Sequence, residues 1–268
     1  MHILLTNDDG LRADGLMAAY RALSGAGHRV TACAPDRERS AQSQSVSLYS
    51  GLSVQEVAMP DGATGYAVSG TPADCSRLGC TTLAEPPVDL VMSGINNDSN
   101  LGYDANYSGT VGAALEAAAM GLPALAVSLA RSDGPDWPGA AALAVRAVAL
   151  FPGWDIPGGV LVNLNIPSRI TDPAWVWAPL NLIAVSEYYR VEAGPDGARL
   201  FMRARLEDES PAQPGSDVDL FRQGRITLSP LGPVRTERQT LSRLQDQILA
   251  APPGTEGQAA PRRAQESL

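Results

Sequence analysis

Lysine is absent from this 268-residue chain, so all 20 of its basic residues are arginine. That removes Schiff-base chemistry and the P-loop, whose phosphate grip needs a lysine after its glycine-rich turn. Histidine is almost absent too. His2 and His28 are the only two, and both read as solvated or capping side chains, which leaves little material for a His-rich zinc centre or a Ser-His-Asp triad. The three cysteines, Cys33, Cys75 and Cys80, are odd in number and lack C-x-x-C spacing; a reducing compartment fits them best. No apolar run approaches the roughly 18 residues of a membrane span. Met1 leads almost directly into an apolar strand, without the charged start of a signal peptide. The expectation is a cytoplasmic protein with no membrane partner. Basic charge is scarce overall: the formal net charge of −9 argues against gripping a nucleic-acid polymer, which needs a basic patch.

What is present suits a large α/β core, with 44% hydrophobic and 18% charged residues. The organising stretch is Met1-His-Ile-Leu-Leu-Thr-Asn-Asp-Asp-Gly10. A short apolar run closed by a polar turn reads as a parallel strand buried on both faces. Ligands of open parallel sheets bind beyond the carboxyl ends of the strands, where Asn7, Asp8 and Asp9 would sit. An Asn-Asp-Gly turn needs one acid. Two neighbouring carboxylates repel by about 4 kcal/mol at about 4 Å and an effective dielectric near 20, so a neutralising cation is the better explanation of the pair.

Leu16, Met17, Tyr20 and Leu23 recur at helical spacing up to Gly25, and Arg29 to Ala34 reads as a second strand. The β-α-β alternation predicts a doubly wound parallel sheet. A dinucleotide fold would place G-x-G-x-x-G after the first strand; Asn-Asp-Asp-Gly stands there instead. Asp36 to Ser45 is a long polar loop, and Gly70-Thr-Pro-Ala-Asp74 is a helix start with Thr71 as cap and Asp74 completing a capping box. Val88 to Met92 reads as a strand opening into the loop Ser93 to Gly102, whose asparagines, Asn96 among them, offer neutral oxygen ligands for a hard cation. Tyr107-Ser108-Gly109-Thr110 is a tight turn feeding a helix of small residues. Its amides and two hydroxyls make an anion site that needs no lysine, although an ordinary serine cap would look the same. Further strands are expected over 124–129 and 159–165 and a helix over 140–150. Residues 183–191 and 199–206 read as a two-stranded hairpin, followed by a short helix and a last strand up to Pro230. The expected organisation is one α/β domain over residues 1–235, with the hairpin arm at about 180–206, a helix over 236–250, and a disordered tail over 251–268.

Six blocks then coincide in order: Ile3-Leu-Leu-Thr-Asn-Asp-Asp-Gly10, Ala34-Pro-Asp-Arg-Glu-Arg-Ser40, Gly70-Thr-Pro-Ala-Asp-Cys75, Ser93-Gly-Ile-Asn96, Tyr107-Ser-Gly-Thr-Val-Gly-Ala-Ala114 and Gly121-Leu-Pro-Ala-Leu-Ala-Val-Ser128. The set resembles the SurE family, the survival protein E nucleotidases, from residue 1 to about residue 235. The resemblance implies a Rossmann-like three-layer α/β/α core with a mostly parallel sheet, a protruding hairpin and a C-terminal helix. It implies one divalent metal ion per subunit, Mg²⁺ or Mn²⁺, held by Asp8, Asp9, Ser40 and Asn96. It also implies hydrolysis of nucleoside monophosphates, 5′ and often 3′, and of other phosphate esters or short polyphosphate. Homodimers or homotetramers would form by exchange of the hairpin and the C-terminal segment. Three positions depart from the family pattern: Ala41 and Asp98 stand where glycine is usual, and Tyr103 where aspartate is common.

On this reading Asp8 and Asp9 are the catalytic candidates, and Asn7, Asn96, Ser108, Gly109 and Thr110 the phosphate- or substrate-binding ones. Either the ion's water attacks phosphorus or an aspartate does; the residues allow both. An aspartyl phosphatase of the haloacid dehalogenase type is excluded because its Asp-x-Asp motif would need an acid where Gly10 stands. The alternative from another class is a nucleotide-binding regulatory module on the same fold, without turnover.

Overall fold

The structure is a computed structural model that describes residues 1–183, 187–195, 198–205 and 211–233, together with 241 and 244. In chain order its elements are β1 (His2–Thr6), α1 (Asp14–Gly25), β2 (Arg29–Pro35), β3 (Val54–Ala58), β4 (Thr64–Val68), α2 (Pro72–Leu78), β5 (Leu90–Asn96) and α3 (Gly109–Ala119). Then come β6 (Ala124–Leu129), α4 (Trp137–Leu150), β7 (Leu161–Ile166), β8 (Asp172–Trp177), β9 (Glu187–Ala193), β10 (Arg199–Arg205), α5 (Asp217–Arg222) and β11 (Arg225–Leu231).

Nine strands form one sheet in the order β3-β4-β2-β1-β5-β6-β7-β11-β8. From β4 to β7 every neighbouring pair is parallel. Strands β3 and β11 run antiparallel to β4 and β7, while β8 lies parallel to β11. The chain leaves β1 toward β2 on one side and returns to β5 on the other. That reversal opens a crevice between the carboxyl ends of β1 and β5, the place where doubly wound sheets bind ligands.

Alternation along β1 divides the core into two layers. Ile3 and Leu5 pack with Leu16, Leu23 and Val148 from α1 and α4, whereas Leu4 faces Cys75, Val111 and Ala114 from α2 and α3. Burial on both faces explains the short apolar runs Ile3–Leu5 in β1 and Ala124–Val127 in β6, and β7 is buried throughout although it carries Asn163 and Asn165. The capping box at Thr71 is present, with reciprocal Thr71–Asp74 hydrogen bonds of 3.1 and 3.0 Å.

The structure departs from sequence expectation at several elements. The strand expected to end at Met92 continues to Asn96, because Ser93 pairs with Ala126 and Asn96 with Ser128 across a register shift. Gly94 makes this possible: its φ is +131° and a Cβ there would meet the Val127 carbonyl oxygen at 2.3 Å. Strands β3 and β8 were not expected; being edge strands, they are largely exposed and show no apolar alternation. Strand β4, also unexpected, is short and only partly buried. The hairpin is present as an antiparallel β9–β10 pair, with Val185 and Leu206 outside the described residues. Residues Met1–Pro233 form one compact unit. Of the expected helix over 236–250 only Leu241 and Leu244 are described, both helical, and the expected tail lies outside the described residues.

Buried polar groups anchor the loops beyond β5. Asn100 donates to Ser128 Oγ at 2.7 Å, and its amide to Asn165 Oδ1 at 2.8 Å. Asp217, at the start of α5, accepts the amides of Gly102 and Asn181 at 2.7 Å each and of Val218 at 2.8 Å. Replacing it by alanine strands buried donors. Asp217→Ala is expected to cost about 3 kcal/mol in urea unfolding, and Asp217→Asn clearly less because a carbonyl oxygen remains. Equal stability of Asp217→Ala and the parent chain would show that these bonds do not hold the loops.

Candidate active site

The turn after β1 is fixed before any ligand arrives. Asn7 is fully buried, donating from Nδ2 to the Gly10 carbonyl at 3.0 Å and accepting the Gly10 amide on Oδ1 at 3.1 Å. Gly10 has φ +105°, which a residue with a side chain rarely adopts. The Asn7 carboxamide is engaged in the turn that aims the next two residues. The Asp8 carbonyl accepts the Arg39 amide at 2.7 Å, tying the turn to the loop after β2.

Asp8 is buried under the first turn of α3. Its Oδ1 accepts the Thr110 hydroxyl at 2.5 Å. Gly109 leaves the room, since a Cβ there would lie 2.8 Å from Asp8 Cβ and 2.9 Å from Oδ2. Burial pushes the Asp8 carboxyl up, against the Thr110 hydroxyl and the Gly109 and Thr110 amides, which favour its ionised form. Asp9 is more open. Burial first, then the charges of Asp8 and Glu38, push its carboxyl up to about 6, opposed by the Asn97 amide and Arg131.

The loop after β2 closes the other wall. Ser43 accepts no strand pairing; instead its amide donates to the Tyr107 carbonyl at 3.0 Å and its hydroxyl to the Asn106 carbonyl at 2.7 Å. Gln44 donates to Glu116 at 2.9 Å, and Gly112 lets the loop backbone lie on α3, where a Cβ would meet Ser43 O at 2.0 Å. Ala41 takes φ +59°, a left-handed conformation that glycine would adopt without strain. Ser40 beside it donates to Glu38 at 2.8 Å.

These parts converge. Asp8, Asp9, Ser40, Asn96 and Ser108 line one cleft of about 450 Å³, together with Glu38, Ala41, Asn97, Asp98, Asn100, Asp104, Tyr107 and Arg131. The expected metal ligands therefore share one wall-to-wall space. Asn96 donates from Nδ2 to the Asp98 carbonyl at 2.7 Å, which leaves Oδ1 as its donor atom toward a cation. Among the described residues no three Asp, Glu, His or Cys side chains group so as to hold an ion by themselves. Two carboxylates supplemented by serine and asparagine oxygens are instead an all-oxygen set suited to a hard divalent ion. The fit rests on two adjacent carboxyls in one cleft, both held up by burial and Asp9 also by the charge of Asp8, a strain that a cation would relieve.

The start of α3 meets an anion as expected, but that anion is Asp8. Thr110 is fully buried and its hydroxyl is committed to Asp8; Gly109 provides close approach to the same carboxylate. Ser108 caps the helix by accepting the Val111 amide at 3.1 Å and is the one of the three that lines the cleft. In this structure the Thr110 hydroxyl places Asp8. Sequence reading also missed Glu38, Asp104, Tyr107 and Arg131. Glu38 lies inside a quoted block; Arg131 carries no motif and is brought in only by the pairing of β5 with β6. His2 is neither solvated nor a cap. It is buried, with its ring nitrogens 2.7 Å from Pro86 O and 2.8 Å from Thr31 Oγ1. A larger cleft of about 750 Å³, lined by Tyr20, Arg29, Glu56, Asp61 and Glu85, lies at the amino-terminal ends of β2 and β4, away from these groups.

Fold and cleft together define a doubly wound three-layer α/β protein with an acidic, oxygen-lined site at the switch point of its sheet. Residues 3–183 match the family described as "Survival protein SurE". The chain is 40% identical over 248 residues to the 5′-nucleotidase SurE of Maridesulfovibrio salexigens, covering 91% of this chain and 98% of that one. It is 37% identical over 254 residues to the 5′-nucleotidase SurE of Desulfitobacterium hafniense, covering 92% and 97%. The crystal structure of the SurE protein from Aquifex aeolicus superposes with a TM-score of 0.79 at 29% identity, over 92% of this chain and 100% of that one. The chain belongs to the SurE family.

The raised Asp9 carboxyl has a measurable consequence. Between its ordinary value of 3.8 and about 6 the native metal-free protein keeps a proton that the unfolded chain has released. Its contribution to stability is therefore largest at low pH and is lost as pH rises through about 6. In EDTA the parent chain is expected to lose stability relative to Asp9→Asn between roughly pH 4 and 7, and saturating Mg²⁺ should cancel that loss. A difference in melting temperature that stays flat over this range would contradict the assignment.

Proposed function

We propose that this chain is a divalent-metal-dependent 5′-nucleotidase that hydrolyses nucleoside monophosphates, with 3′ and other phosphate esters or short polyphosphate as further substrates. The observation that carries the reading is the placement of Asp8, Asp9, Ser40 and Asn96 around one cleft at the switch point. One ion per subunit, Mg²⁺ or Mn²⁺, would be held by these four. When bound, such an ion supplies Lewis acidity toward a phosphoryl oxygen and a water.

The chain's own residues do the positioning on which phosphoryl transfer depends. Thr110 and Gly109 set Asp8, which lines the cleft. Asp9, partly open, orients water or attacks phosphorus itself. Asn96 meets the substrate side of the site through Oδ1, and the Ser108 hydroxyl lies on the wall where a phosphate would rest. The shared description of the relatives as 5′-nucleotidases supports turnover and disfavours the regulatory module without it.

Among the described residues no helix is long and apolar enough to cross a membrane; a cytoplasmic enzyme fits the reduced cysteines. For assembly, the hairpin is the argument. Tyr189, Val191, Leu200, Phe201 and Met202 are all exposed, by 42–66%, which is more apolar surface than an isolated arm should show. A homodimer or homotetramer that packs each arm on a neighbouring copy would cover it.

Phosphate release from a panel of nucleoside 5′- and 3′-monophosphates should require Mg²⁺ or Mn²⁺ and stop in EDTA. Asp8→Asn and Asp9→Asn should each fall by about 100-fold or more with the far-ultraviolet spectrum unchanged. Full turnover by metal-free protein would refute the metal dependence, and no release from any monophosphate would refute the nucleotidase. Separately, light scattering of the intact chain should report a dimer or tetramer, and removal of residues 183–206 should yield monomers or aggregates; a monomeric intact chain would end the assembly reading alone.

A further inference from the structure

The cleft carries an imbalance of charge that the four metal ligands do not resolve. Its lining holds five carboxylates, Asp8, Asp9, Glu38, Asp98 and Asp104, against the single guanidinium of Arg131. A divalent ion offsets two of these negative charges, and a phosphomonoester near neutral pH brings up to two more. The start of α3, which would ordinarily attract the phosphoryl group, already faces Asp8. Among the described residues that line the cleft, the fixed positive charge left to meet the substrate is Arg131.

Its position follows from the sheet. Arg131 lies two residues beyond β6 and Asp98 two beyond β5, and these strands are neighbours with Asn96 opposite Ser128. Arg131 Nε lies 3.7 Å from Asp98 Oδ2, with the two side chains 74% and 55% exposed. Asp98 is itself held: Oδ1 accepts the Ser99 amide at 2.8 Å, and its carbonyl accepts Asn96 Nδ2 at 2.7 Å. The contact engages Nε and leaves the terminal fork of the guanidinium, whose geometry matches two phosphate oxygens. Asp98 stands at one of the three positions where the sequence departs from the pattern that the family resemblance implies.

We propose that Arg131 binds the phosphoryl oxygens of the substrate, and that Asp98 is a positioning residue that competes for the guanidinium and thereby weakens phosphate binding. The proposal rests on the nucleotidase reading. An exposed ion pair is worth little by itself, so the exchange of Asp98 for a dianion beside the metal site is favourable. Binding of the intact ester and of inorganic phosphate should both use the residue.

Isothermal titration of the Mg²⁺-loaded full chain with inorganic phosphate is the direct test, accompanied by titration of each variant with Mg²⁺ alone. Arg131→Ala should weaken phosphate by about tenfold or more, the scale of one hydrogen bond to a charged group, without weakening Mg²⁺. Arg131→Lys should recover part of the loss. Asp98→Asn should tighten phosphate by roughly threefold. With a nucleoside 5′-monophosphate, Arg131→Ala should raise KM more than it lowers kcat. Unchanged phosphate affinity in Arg131→Ala, or a parallel loss of Mg²⁺, would overturn the proposal while parent turnover leaves the nucleotidase standing. A parent chain that neither binds phosphate nor releases it from any monophosphate would overturn both.

Discussion

Asp8 beneath the first turn of α3 is the contact on which the site depends. It joins the carboxyl end of β1 to the helix that follows β5, using a hydroxyl at 2.5 Å and the space left by a missing side chain at Gly109. A carboxylate at a helix start satisfies amides that would otherwise be orphaned and meets the favourable end of the helix dipole. The same contact fixes one of two acids whose mutual repulsion the protein must bear.

The surrounding loop obeys that geometry. Glu116 on α3 is almost fully buried and is held by Arg77 from α2 at 2.5 Å and Gln44 from the loop. Asp74 serves the α2 cap and also receives the Ser47 amide at 3.0 Å. Loop residues 43–47 are thereby fastened to the starts and flanks of two helices, and Ser40 is presented to the cleft from a loop with no strand of its own. Removing one partner of the Glu116 pair would leave a buried charge, which is costlier than the pair is stabilising. Ala41 tolerates its left-handed backbone because the residues on either side are already tied down.

Much of this was legible in the chain. Ile3 to Leu5 followed by two acids located both the first buried strand and the cleft beyond it, and Thr71 to Asp74 located a helix start to the residue. What escaped reading did so for physical reasons. Edge strands such as Val54–Ala58 bury almost nothing, so no alternation marks them. Ser93 to Asn96 looks like a loop because its polar residues pair through a register shift that only the neighbouring strand reveals. Asn7 and Thr110 have the chemistry of ligand-binding groups, and only their burial shows that their bonds are spent within the protein. Sequence identifies a donor; tertiary contact decides whom it serves.

The site therefore sets stability against chemistry within a few residues. Burial raises both aspartates, and the charges of Asp8 and Glu38 raise Asp9 further, so the metal-free cleft is held away from its electrostatic optimum. Such strain persists only where the surroundings over-determine it, and here they do: Asn7 and Gly10 lock the turn, Thr110 locks one carboxylate, and Asn100 with Asn165 locks the opposite loop. A cation entering this cleft gains a preorganised set of oxygens without having to order it, which lowers the entropic cost of binding. The two apolar layers on either side of β1, formed with α1 and α4 on one face and α2 and α3 on the other, hold the strand that carries both acids.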